Sequence, residues 1–220
     1  RDDLLVVAGD NVISFELPSF VDFFEEHEGS ALAAYDVGSH ERAKSYGLVE
    51  LDGTRVVDFQ EKPSNPRSTL VSIACYAFPA DALDAIAQYL DAGGNPDEPG
   101  WFVQWLQERE PVNAFTFDGA WFDIGTPESY LDAVSWQLNG KNLVSDSAEI
   151  RESTLEENVH VLEGATIEDS HVDHSVVFPN ATVHNCDVRE SIIDEETHVE
   201  NIDFSGALIG AHTRLRNADE

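Results

Sequence analysis

The sequence predicts an α/β layered domain up to about residue 145, followed by a short parallel β-helix whose coils each hold three short strands. Three observations predict it. Strand-like and helix-like stretches alternate through the first part. A repeat with a period of 16 residues takes over in the second. A hydrophobic content of 42% is enough for a core rather than a disordered chain.

The first part takes its elements in order. "LLVVA" (4–8) reads as a short buried strand running into Gly9-Asp10-Asn11. Pro18 opens a helix through "SFVDFFEEHEG", whose Phe20, Phe23 and Phe24 share a face and whose Gly29 ends it. "ALAAYDV" is a strand. "YGLVELDGTRVVDFQEKP" carries two alternating runs around Asp52-Gly53, a hairpin signature. "LVSIACYAF" is another strand, and "PADALDAIAQYLDAGG" a helix with Pro79 near its start and Gly93 after its end. "GWFVQWLQERE" is a short helix and "VNAFTF" a strand. "TPESYLDAVSWQLNG" is a helix with Thr126 as N-cap, Pro127 in first position and Gly140 as stop.

Beyond residue 145 three segments superpose: "ATIEDSHVDHSVVFPN" (165–180), "ATVHNCDVRESIIDEE" (181–196) and "THVENIDFSGALIGAH" (197–212). Equivalent positions are Ile167, Val183, Val199; Val172, Val188, Phe204; and Val177, Ile193, Ile209, with Ser175 and Ser191 also aligned. A less regular coil with Ile150 and Leu155 precedes them. No helix has a period of five or six residues. A coil of three strands does, each apolar side chain pointing inward and stacking on its copy one turn on.

Composition narrows the function. The chain has 43 Asp+Glu against 12 Lys+Arg, a formal net charge of −31, with the acids scattered throughout. A nucleic-acid binder needs the opposite sign. The charge reads as an adaptation to high salt, where molar ions screen carboxylate repulsion within about 3 Å. No apolar run approaches the ~20 residues of a membrane span. Cys75 and Cys186 form neither a disulfide framework nor a metal motif, which fits a reducing cytoplasm.

Four stretches carry chemistry. Asp10 ends a strand, where α/β sheets bind ligands, although Gly-Asp-Asn is also plain turn chemistry. Asp123, in "GAWFDIGTPESYLDA", falls between a strand-like segment and a glycine turn, and Thr126 already caps the helix behind it. Two such carboxylates can clamp one hard divalent cation that shares its other positions with phosphate oxygens. In "DFQEKP", Glu61 can bind two sugar hydroxyls and Lys62 can meet a phosphate, in a chain with only three lysines. In "SYGLVE", Gly47 allows close approach of a ligand or makes a turn.

"AGDN", "YGLVELD", "QEKP", "ACYAF" and "WFDIGTPESYLDA" occur in the order seen in sugar-1-phosphate nucleotidyltransferases. The chain most resembles the long form of glucose-1-phosphate thymidylyltransferase, of haloarchaeal type, over nearly its whole length. The resemblance implies a Rossmann-like core with a mixed sheet over residues 1–145 and a left-handed β-helix over 146–220. It implies Asp10 and Asp123 as ligands of Mg²⁺, and Lys62 with these two acids as the catalytic group. Asn11, Tyr46, Gly47, Glu61, Ser72 and Trp121 are implied at the sugar phosphate, with Ser72 near the position that often contacts the sugar. The implied reaction joins a sugar 1-phosphate, glucose 1-phosphate foremost, to dTTP with loss of pyrophosphate, in a cytoplasmic homo-oligomer.

The glycine-rich loop, the Arg and the Pro-Lys pair that hold the triphosphate in that family have no match here. The chain is therefore expected to be a C-terminal part, inactive alone. "PDEPGWFVQWLQERE" also replaces the Glu-Ile-Thr-Asp helix of the bacterial enzymes. Three alternatives stand beside this reading. One is uridylyl transfer from UTP. Another is acetyl transfer by the β-helix through His171, His174, His184 or His198. The third is a non-enzymatic regulatory or scaffold subunit.

Overall fold

The computed structural model describes residues 2–217. The chain divides into two compact units, the first ending at Trp121 and the second beginning at Phe122.

The first unit runs β1 (Leu4–Val7), β2 (Asn11–Ile13), α1 (Leu17–Glu26), β3 (Ser30–Asp36), α2 (His40–Ala43), β4 (Gly47–Asp52), β5 (Arg55–Glu61), β6 (Leu70–Phe78), α3 (Leu83–Asp91), α4 (Pro99–Gln107) and β7 (Val112–Thr116). Its mixed sheet has the order β1-β6-β3-β7-β5-β4, with β4 also pairing β6. β3 lies parallel to β7 and antiparallel to β6. Successive side chains of a strand point to opposite faces. Leu32, Val49, Phe59 and Tyr76 accordingly pack with Phe102 and Leu106 of α4 on one side. Ala33, Leu48, Val71 and Ile73 pack with Phe20 of α1 on the other. Burial on both faces explains why β3 and β6 read as unbroken apolar runs rather than alternating ones.

Two expectations need correction. β1 is not buried: Leu4, Leu5 and Val7 keep 38%, 42% and 39% of their surface. Among the described residues it pairs with β6 and no other strand, and an apolar run does not reveal how many neighbours a strand has. The third helix starts at Leu83, because residues 79–82 form a separate turn closed by Ala82 N–H donating to Pro79 O at 2.9 Å.

β6 organises the sheet. β3 follows one edge along its length, pairing Ala31 with Ala77 and Asp36 with Leu70. The other edge is shared. β1 takes Cys75 to Phe78, and β4 takes Val71 and Ser72, with Gly47 opposite Ser72. Ala8 N–H still reaches Ala74 O at 2.9 Å before the chain turns away at Gly9-Asp10. The carboxyl end of β1 and the start of β4 thus face each other along one strand.

β8 (Trp121–Asp123) spans the division between the units, and in the second unit α5 (Pro127–Leu138) follows, capped as expected: Thr126 Oγ1 accepts from Ser129 N–H, within a reciprocal capping box. Asn139, left-handed at φ +50°, ends the helix one residue before Gly140. The chain then winds into a three-faced parallel β-helix. The predicted rows are the observed register: Ile167, Val183 and Val199 pair in sequence, as do Val172, Val188 and Phe204, and Val177, Ile193 and Ile209. The preceding coil is offset by 17 residues, Ile150 opposite Ile167 and Leu155 opposite Val172. Val161 to Val177 returns to 16, so the extra residue lies between Leu155 and Val161.

The serine row is a hydrogen-bond ladder. Buried Ser175 Oγ accepts from Ser191 N–H and buried Ser191 Oγ from Ala207 N–H, each at 3.1 Å. Each hydroxyl donates in turn to a carbonyl, of Asp173 and Arg189. Corners use left-handed backbone at Asp169, Asn185 and Asn201, one coil apart, where Asn and Asp tolerate positive φ better than most residues.

Candidate active site

The row Glu61–Gly47–Ser72 runs straight across three strands. Gly47 of β4 pairs with Glu61 of β5 on one side and with Ser72 of β6 on the other. The three residue types singled out in the sequence are therefore lateral neighbours. Gly47 is required by space: a Cβ there would collide with the Phe59 ring and come within 2.9 Å of Glu61 Oε2. Gly100, in the first turn of α4, is packed still harder onto the same carboxylate. Glu61 N–H donates to Gln104 Oε1 of α4 at 2.8 Å, which fixes the end of β5 against that helix.

Burial pushes the Glu61 carboxyl above the usual carboxylate range; the Lys62 charge pulls it back and the Glu98 charge adds to the rise. Lys62 leaves the strand in left-handed backbone at φ +45°, its N–H donating to Tyr46 O at 3.1 Å. Its ammonium is ion-paired with Glu98, at the start of α4. The hydrogen bond to Glu98 raises the Lys62 pKa, and the same bond, with a second from Trp101, lowers that of Glu98. Ser72 Oγ lies 3.5 Å from the Tyr76 hydroxyl, whose pKa burial pushes up to about 12.

An aromatic wall joins this row to the turn after β1. Trp121, only 4% exposed, meets Tyr46 edge-on with ring centroids 4.9 Å apart and Tyr35 at 6.0 Å. Its Nε1–H donates to Asn11 Oδ1 at 2.7 Å. Asn11 Nδ2 donates to Asp10 Oδ1 at 3.0 Å, and that carboxylate is exposed. Within the first unit, the row Glu61–Gly47–Ser72 and the group Asp10, Asn11, Trp121 and Tyr46 are linked through Tyr46, which precedes Gly47 and whose carbonyl accepts from Lys62 N–H; Gly47, Ser72 and Trp121 are buried. Asp123 belongs to the second unit, where it ends β8 half-buried; a Cβ on Gly125 would stand 3.4 Å from its Oδ1.

Among the described residues, no group of three or more His, Cys, Asp or Glu forms a ready-made metal cage. Mg²⁺ does not need one: it keeps several waters and binds through one or two carboxylates plus substrate phosphates. As oxygen donors, the Asp10 carboxylate of the first unit and the Asp123 carboxylate of the second are each of the type that chemistry uses. Four of the β-helix histidines each face an acid: His171 with Glu156, His174 with Asp173, His184 with Glu168 and His198 with Glu200.

Sequence reasoning missed Glu98, Gly100 and Gln104. Gly100 offered a signal, being a glycine inside the first turn of a helix where no special backbone angle calls for it. Glu98 offered none among 43 acids.

The family model for nucleotidyl transferase matches residues 1–139, and that for GlmU-like C-terminal hexapeptide matches residues 137–214. A crystal structure from Bacillus anthracis, assigned as a glucose-1-phosphate thymidylyltransferase and complexed with sucrose, is similar in fold, with a TM-score of 0.53 and 21% identity. The match covers 60% of this chain and 53% of that one, so the chain spans about half of that relative's length. Among the described residues no helix is long and apolar enough to cross a membrane. With the nucleotidyl transferase model matching its α/β core, followed by a hexapeptide-repeat left-handed β-helix, the chain belongs to the nucleotidyl transferase family.

Proposed function

We propose that the complete protein joins a sugar 1-phosphate, glucose 1-phosphate foremost, to dTTP, releasing pyrophosphate and giving a nucleotide-activated sugar. The supporting observation is the lateral row Glu61–Gly47–Ser72 with Lys62 next to it in the chain: an acceptor for paired hydroxyls followed directly by an ammonium. The fold neighbour's assignment favours the same substrate.

In this reading Glu61 accepts hydrogen bonds from two sugar hydroxyls, and Gly47, lacking a Cβ, leaves the room in which the Phe59 ring and that carboxylate sit. Lys62 holds the phosphate as a point charge. Tyr46 and Trp121 wall the pocket and exclude water, which strengthens each charge contact. The phosphate oxygen that attacks the α-phosphorus is already anionic, so no strong general base is required. The task of these residues is to bring two anions together in line. Asp10 and Asp123 would hold Mg²⁺, which when bound neutralises charge on the phosphoryl oxygens. Residues 1–145 act as the catalytic part and 146–220 as an oligomerising β-helix in a cytoplasmic, salt-adapted homo-oligomer of haloarchaeal type, without nucleic-acid or membrane partners.

The test is turnover of glucose 1-phosphate with dTTP and UTP by the complete protein, with Asp123→Asn beside it. Loss of Mg²⁺-dependent turnover in the variant is expected; a near-normal rate refutes the metal role, and a preference for UTP refutes the choice of base.

A further inference from the structure

Lys62 does not await a phosphate with an empty ammonium. It is bound to Oε1 of Glu98, 36 residues further on. Glu98 stands at the N-cap position of α4, yet its side chain makes no capping hydrogen bond. Its other oxygen, Oε2, accepts from Trp101 Nε1 at 2.9 Å and from Asn95 Nδ2 at 3.3 Å. One carboxylate oxygen is thus anchored to its own loop and helix, and the other is offered to Lys62.

We propose that Glu98 is the resident counter-ion of Lys62, occupying the position on the ammonium that the substrate phosphate takes, so that sugar 1-phosphate binds by exchange with an internal carboxylate. The inference rests on the proposed role of Lys62 at the phosphate. Both partners are close to half exposed, 45% and 39%, so water can replace either and the pair opens at little cost. Oε2 keeps its two donors when Oε1 is released, so Glu98 has a place to remain. A dianionic phosphate competes for Lys62 where a neutral sugar cannot, because only the phosphate replaces the charge it removes. With Lys62 taken by phosphate, the uncompensated Glu98 charge then faces both the phosphate and Glu61. The exchange therefore sets the phosphate affinity below what Lys62 alone would give.

The test is calorimetric titration of the complete protein with glucose 1-phosphate and with neutral glucose at fixed ionic strength. Wild type is compared with Glu98→Gln and Lys62→Met. Glu98→Gln is expected to tighten glucose 1-phosphate about two- to fivefold, the scale of an exposed ion pair, and to leave glucose unchanged. Lys62→Met is expected to weaken glucose 1-phosphate about tenfold or more. If Lys62→Met weakens binding but Glu98→Gln does not tighten it, the counter-ion role is overturned and the site reading stands. If Lys62→Met binds as wild type does, the site reading itself fails. Glu98→Ser, which supplies a favoured N-cap residue, repeats the measurement should the glutamine variant not fold.

Discussion

Trp121 Nε1–H donates to Asn11 Oδ1 at 2.7 Å, joining residues 110 positions apart. The bond turns the Asn11 amide so that its Nδ2 faces Asp10 Oδ1. One indole therefore holds the amide beside the proposed metal carboxylate and, in the proposed function, also walls the sugar side. Trp121→Phe keeps the ring and removes the donor. It is expected to lower stability by about 0.5–1.5 kcal/mol. It should also weaken Mg²⁺-dependent binding more than metal-free binding of glucose 1-phosphate. Denaturant unfolding and calorimetry with and without Mg²⁺ measure the two effects.

Gly47→Ala places a methyl group against the Phe59 ring and the Glu61 carboxylate. Overpacking of this kind costs about 1–3 kcal/mol. Because the clash lies under the proposed sugar position, glucose 1-phosphate affinity should fall by about tenfold or more on that scale. Unfolding midpoints and calorimetry read the two losses separately.

Glu61→Gln should move stability and function in opposite directions. Burial holds the folded-state Glu61 pKa above its unfolded value. The group therefore contributes most to stability below the unfolded pKa, and that contribution is lost as pH rises through the raised folded pKa. At neutral pH the charged carboxylate is a strain on the fold, so the glutamine variant should unfold at a higher temperature than wild type. Below the unfolded pKa the difference should vanish. Sugar binding should weaken, since a carboxylate accepts from two hydroxyls and an amide oxygen serves less well. Melting curves from pH 4 to 8 on both proteins give the sign.

Ser175→Ala leaves the Ser191 N–H without its acceptor inside the β-helix. An unsatisfied buried donor costs about 1–3 kcal/mol. Thermal unfolding should show the loss, with glucose 1-phosphate affinity unchanged.

A net charge of −31 on 220 residues predicts strong salt dependence. The melting temperature should climb steeply with KCl between dilute buffer and molar salt as screening shortens to about 3 Å. A melting temperature independent of KCl would contradict the proposed salt adaptation.

What the sequence made legible follows its periodicities. The β-helix rows could be named residue by residue, because a repeat states its own register: Val183 lies between Ile167 and Val199 as the alignment places it. Gly47 and Glu61 were individually visible through their chemistry, and Ser72 only through the family resemblance. Their lateral adjacency was not, since pairing between β4, β5 and β6 depends on long-range register. The exposure of β1 was hidden for a similar reason: Leu4-Leu5-Val6-Val7 spells a strand without saying which edges are occupied. Glu98 was hidden by abundance, as one acid among many.

The ladder of the second unit makes its length quantised. Each inward residue rests on a copy 16 positions away, so whole coils can be gained or lost by duplication or deletion while every surviving row keeps its partner. A single-residue change is absorbed only in a corner, as the 17-residue first coil illustrates between Leu155 and Val161. Evolution can thus lengthen this tail in steps of one coil without redesigning its interior.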